Sequence, residues 1–286
     1  MSKKTSVILI FIGILLGVVG TDFDIPLGNN ISFSLPVGAI ASAVLLIVGC
    51  SGLYKHTASK RFIKIIVLVG IYCGLNLLIL FLVDTASIVA TLESYVELLE
   101  NSSNPEGILV DMGKLLEKLV PILWLSILPM VASLLYDINL AAGLGEVAVS
   151  KELGETLKSK GKKAAIFLFV ATTVLIIGAG LMLINMGDFM EFVADNMSSS
   201  NDVIQPGAGI GFVFGVIVFM FVALPVGCVF GIIGLVAEIK YIIAVGKLIS
   251  DVERPVNTEV NNDSVIDSEL DNDFSSDEED HSKPFE

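Results

Sequence analysis

Histidine is nearly missing from this chain: His56 and His281 are the only two among 286 residues, one in a basic stretch and one close to the C-terminus. That scarcity excludes a histidine-ligated metal site, and a Ser–His–Asp arrangement would have to find its nucleophile beside His56. Cysteine is scarce as well. Cys50, Cys73 and Cys228 all lie inside apolar runs, with no second cysteine or histidine nearby, so neither a zinc site nor a disulfide framework is expected. They read as small apolar packing residues. Charge is the third shortage, at 17% of residues against about 25% in soluble domains. No long apolar run carries a charge in its middle, and the paired acids or histidines that interfacial hydrolysis or group transfer needs are not in evidence. The sequence therefore reads as non-enzymatic, with no cofactor and no metal. Gly207-Ala208-Gly209-Ile210-Gly211 looks superficially like a phosphate loop, but it follows a polar stretch rather than a strand and opens an apolar helix.

What is present instead is apolar surface. Hydrophobic residues make up 54% of the chain, and the mean hydropathy is +0.82. A bilayer core about 30 Å thick takes about 20 apolar residues per helix. The expected fold is an all-α, polytopic transmembrane bundle over residues 1–254, with six spans near 7–20, 35–54, 62–83, 119–140, 164–186 and 209–237. The first run also fits a secretory signal, with the small residues Val18 and Gly20 before a cleavage point.

Residues 255–286 form an acidic, disordered cytoplasmic tail in this reading. The formal net charge of −14 comes mostly from there, since eleven acids between Glu259 and Glu286 face the single Lys283. With few apolar residues and many Ser and Asn, such a segment does not bury enough surface to fold alone. Ser275-Ser276-Asp277-Glu278 would suit an acid-directed kinase.

Sidedness follows from the distribution of lysine and arginine. Placing both termini in the cytoplasm puts Lys3, Lys4, Lys55, Lys60, Arg61 and the Lys151–Lys163 cluster inside, and leaves only Lys114 and Lys118 outside. The expected location is thus the cell membrane, multi-pass. The second outer loop, residues 85–118, reads as two amphipathic helices separated by Asn101-Ser102-Ser103-Asn104-Pro105, and the third loop repeats the pattern weakly with Phe189, Phe192, Val193 and Met197. Each outer loop also holds an Asn-x-Ser triplet, beginning at Asn30, Asn101 and Asn196.

Three helical hairpins of similar design are suggested by acids at Asp22, Asp84 and Asp188 and by Leu-Pro pairs at Leu35-Pro36, Leu128-Pro129 and Leu224-Pro225. Glycines four apart (Gly13/Gly17, Gly70/Gly74, Gly207/Gly211/Gly215, Gly227/Gly231) point to close helix approach within the bundle. Candidate functional positions are few. Pro129 and Pro225 should bend the fourth and sixth spans; Asn76 is a polar group within the third. Asp137 with Asn139, and Glu238 with Lys240, fall where the fourth and sixth spans are expected to leave the membrane. Two functions fit these residues. One is a non-enzymatic membrane component or scaffold that meets a membrane or cytoplasmic protein partner, alongside the lipid bilayer and without nucleic acid. The other is a small-solute or ion transporter or permease subunit.

Overall fold

A computed structural model describes residues 1–19, 23–26, 32–35, 37–82, 91–95, 97–98, 105–198 and 207–253. The chain divides into Met1–Glu253 and Arg254–Glu286; the acidic tail lies outside the described residues, as does most of the first amphipathic helix expected between 85 and 100. The described part is helical except for one short antiparallel hairpin. Its strands β1 (Phe23–Pro26) and β2 (Ser32–Leu35) pair with Phe23 opposite Leu35 and Pro26 opposite Ser32. The hairpin is a small local addition to an otherwise all-helical fold: Phe23 and Ile25 alternate with Asp24 on one arm, and Ser32 and Ser34 with Phe33 and Leu35 on the other, the two-residue period that suits paired strands.

Five helical stretches are long and apolar enough to cross a membrane: Val37–Thr57, Lys60–Ile79, Glu106–Val147, Lys151–Asp195 and Ile210–Asp251. This is a membrane protein of helical-bundle type. Its first helix, α1 (Lys3–Val19), has 17 residues, and its uninterrupted apolar run from Val7 is about 20 Å long at 1.5 Å per residue. α1 is nonetheless integral to the core. Val7 and Ile10 are fully buried, packed between α2 (Val37–Thr57) and α10 (Leu224–Asp251). Signal-type cleavage after Gly20 would take both residues out of that core.

The remaining helices are α3 (Lys60–Leu82), α4 (Pro105–Glu117), α5 (Val120–Leu125), α6 (Ile127–Val147), α7 (Lys151–Leu183), α8 (Met186–Ser198) and α9 (Gly207–Val218), the last joined to α10 by a π-helical turn at Phe219–Ala223. Every interruption within the helical stretches Glu106–Val147 and Ile210–Asp251 lies about four residues before a proline. Proline has no N–H for the carbonyl at i−4, and its ring crowds that carbonyl. Pro121 thus ends α4 at Glu117, Pro129 separates α5 from α6 at Leu125, and Pro225 widens the helix at Phe221, where Leu224 N–H bonds back five residues to Phe219. At the middle break the Ser126 hydroxyl donates to the Leu123 carbonyl at 2.6 Å. Helix irregularities thus stand before Pro129 and Pro225, the two prolines singled out from the sequence, and before Pro121, which was not.

Dense packing is concentrated at the basic end of the bundle. Leu53, Phe62, Ile65, Leu144, Leu157 and Leu248 are completely buried there. Backbones touch where Gly145 of α6 faces Gly154 of α7: a Cβ built on either lies 2.6 Å from the other's carbonyl oxygen. Polar clamps close the same end. Asp251 Oδ2 accepts from the Val149 and Ser150 amides at 2.7 and 3.1 Å, tying the end of α10 to the start of α7. Lys3 Nζ donates to the Val147 carbonyl, and Arg61 pairs with Glu146 at 2.6 Å.

At the other end α4 and α8, in the two segments where the sequence suggests amphipathic helices, pack on each other. Gly113 approaches Met190, and Glu117 accepts from the Gly187 amide at 2.8 Å. Phe189 stacks on Phe212 of α9 with ring centroids 4.0 Å apart.

Candidate functional site

Inside the bundle, resting directly on the dense core, is a cavity of about 520 Å³. Leu46, Val69 and Leu140 belong to both the core and the cavity wall. Six helices contribute to the lining: α1, α2, α3, α6, α7 and α10. Much of the wall is aliphatic, as lipid-solvated helices require, but polar groups gather on one side of it.

Asp137 and Glu238, 101 positions apart in sequence, both line this cavity and interact electrostatically. Both lie well before the ends of their helices. α6 runs on to Val147 and α10 to Asp251. At 1.5 Å per residue, Asp137 is about 15 Å and Glu238 about 20 Å inside the basic ends of their helices.

Ser133, one turn before Asp137, donates its hydroxyl to Asp137 Oδ2 at 3.3 Å. Tyr136 is adjacent and meets the ring of Tyr72 edge-on, with centroids 5.9 Å apart. Ser42 and Thr172 complete the polar lining. Among the described residues no lysine, arginine or histidine is part of the wall. Just below, the Tyr241 hydroxyl is buried without a hydrogen-bond partner among the described residues, and it too interacts electrostatically with Asp137 and Tyr136.

The other candidate positions are elsewhere. Asn76 and Asn139 each donate to the carbonyl four residues back in their own helix, Tyr72 at 2.8 Å and Leu135 at 2.7 Å. Lys240 is exposed, two residues on from Glu238 and on a different helix face. Pro129 is buried at the start of α6, and Pro225 is exposed beyond the π turn. Tyr72, Tyr136 and Tyr241 were missed by sequence reasoning. Three tyrosines within apolar runs, one of them beside Asp137, were the available signal. Among the described residues no group of three His, Cys, Asp or Glu side chains is placed to hold a metal ion.

No family model, no curated protein and no solved structure matches this chain.

Proposed function

We propose that this protein is a non-enzymatic transporter or permease subunit of the cell membrane that carries a small solute or ion through the cavity between α1, α2, α3, α6, α7 and α10. One observation supports this above the others: two carboxylates share a cavity inside a bundle of apolar helices. Acids within membrane spans are costly and mark solute or ion paths by default. Substrate sites of transporters form near the midplane beside interrupted helices, and the Pro129 and Pro225 breaks lie in the two helical paths that bear Asp137 and Glu238. Those shared breaks also favour kinship between the second and third hairpins of a repeated design.

In this reading α1 is a sixth, short span, both termini are cytoplasmic, and the dense end of the bundle faces the cytoplasm. The α4–α8 pair, none of whose residues lines the cavity, then lies at the outer end of the bundle. The scaffold reading rests on exposed apolar faces such as Phe214, Phe221 and Ile232. Lipid covers such faces equally well, so they do not favour a protein partner. The cavity has no role in a scaffold.

Proteoliposomes carrying the purified chain are expected to take up a labelled small solute saturably, tested with cationic, neutral and anionic candidates. Ala39→Trp, which adds bulk to the cavity wall, should reduce that uptake severalfold. Uptake no greater than in empty vesicles across all three classes would return the choice to the scaffold. Sidedness has its own test. In intact cells Glu191→Cys on α8 should react with an impermeant thiol reagent, while Ser159→Cys on α7 should react only after permeabilisation; both residues are exposed on the protein surface. The reverse pattern inverts the topology.

A further inference from the structure

We infer that the cavity selects an organic monocation, a protonated or quaternary amine with an apolar body, held by Asp137 and Glu238. This rests on the transport reading and names its substrate class. The polar lining consists of two carboxylates and hydroxyls that accept hydrogen bonds, with no basic side chain among them. An anion would meet two like charges and no counter-charge. A neutral solute would leave both carboxylates unpaired in a low-dielectric bundle, an expensive arrangement.

Size argues against a bare ion as the sole occupant. A water molecule's share of liquid volume is about 30 Å³, whereas the cavity measures about 520 Å³, within the range of small-molecule sites at roughly 300–1,000 Å³. The rest of the wall suits an apolar body: Ile14, Met130, Leu134, Leu168 and Phe169 line it. Tyr72 and Tyr136 set aromatic rings beside the acids, where a cation gains from the ring quadrupole.

Tyr241 supplies an observation independent of the acids. Its side chain is only 8% exposed and its hydroxyl has no hydrogen-bond partner among the described residues. A buried hydroxyl calls for a polar partner, and this one interacts electrostatically with Asp137, although Tyr241 itself is not part of the cavity lining. Basic residues on the helices forming the wall stay outside the lining: Lys3, Lys55 and Lys64 lie near helix ends, while Lys163, two before Ala165, and Lys240, two after Glu238, are exposed on the protein surface. They leave the charge of the acids for the ligand.

The test uses the full chain in lipid nanodiscs and three probes of one shape: phenyltrimethylammonium, its neutral isostere tert-butylbenzene, and the anion benzoate. Phenyltrimethylammonium should bind saturably, one per chain, and at least tenfold more weakly after Asp137→Asn or Glu238→Gln. The hydrocarbon's partitioning should not change with either substitution. Ala39→Trp keeps both carboxylates and should also block the cation, so the proposal stays testable if an acid variant does not fold. If benzoate or the neutral isostere saturates the site as well as the cation does, the charge selection is wrong while the transport reading survives. Binding of sodium that phenyltrimethylammonium does not displace overturns the organic cation in favour of an inorganic one. Cation binding that both acid variants and Ala39→Trp leave intact puts the ligand elsewhere and overturns the site.

Discussion

Half-saturation of cation uptake by reconstituted Asp137→Asn protein is expected to need about a hundredfold more substrate than in the wild type, a change of roughly 3 kcal/mol at 1.4 kcal/mol per tenfold. The magnitude follows from charge. Two unit charges 4 Å apart attract by about 4 kcal/mol at an effective dielectric constant of 20, and Glu238 retains part of that attraction when Asp137 is neutral. Asparagine keeps the shape of the side chain and an oxygen for the Ser133 hydroxyl, which bonds Asp137 at 3.3 Å. The fold should therefore survive, and thermal unfolding in detergent should move little. Ser133→Ala removes one neutral donor and should cost much less than the charge does. Unchanged half-saturation in Asp137→Asn would remove this carboxylate from the solute path, whatever the protein transports.

A second large effect is expected at the contact of α6 with α7. Gly154→Val should prevent accumulation of monodisperse protein, because its Cβ would lie 2.6 Å from the Gly145 carbonyl oxygen and 3.6 Å from Ala148 Cβ. Neither obstacle is the far end of a flexible side chain. Relief requires the helices to separate, at about 3 kcal/mol or more for overpacking of this kind, out of a total stability on the order of 5–15 kcal/mol. Asp251 would lose its hold at the same point, since its carboxylate accepts the two amides just before α7. Gly70→Ala is the contrasting control: nothing lies within 4 Å of a Cβ there. Alanine replaces glycine in an exposed helix with a gain of up to about 1 kcal/mol, so the melting temperature should rise or stay level. A fall of the same size in both variants would mean that glycine matters through helix flexibility and not through contact.

The glycine pattern shows how far spacing alone carries. Gly13 and Gly17 do face α2, meeting Leu46 and Ser42, as four-residue spacing suggests. Gly70 and Gly74 have the same spacing, yet neither has a neighbour within the bundle. The tightest pair, Gly145 with Gly154, has no such signature because its members lie on different helices. A spacing rule reports that a helix has a smooth face; whether another helix covers that face depends on where the chain returns.

The sequence by itself determined the solvent, the helical character and the positions of the breaks. Hydropathy measures transfer into lipid residue by residue, and proline acts on the carbonyl four positions earlier, so both effects are local. The short first helix, the basic helix ends and the amphipathic α4 and α8 were legible for the same reason. Only the tertiary structure decided that Asp137 and Glu238 share one cavity with three tyrosines nearby, while Asn76 and Asn139 stay bonded to their own helices. That outcome depends on how each helix is rotated about its axis and how deep it sits against its neighbours. Packing between residues a hundred positions apart sets those two quantities, and no local pattern of hydropathy or charge records them.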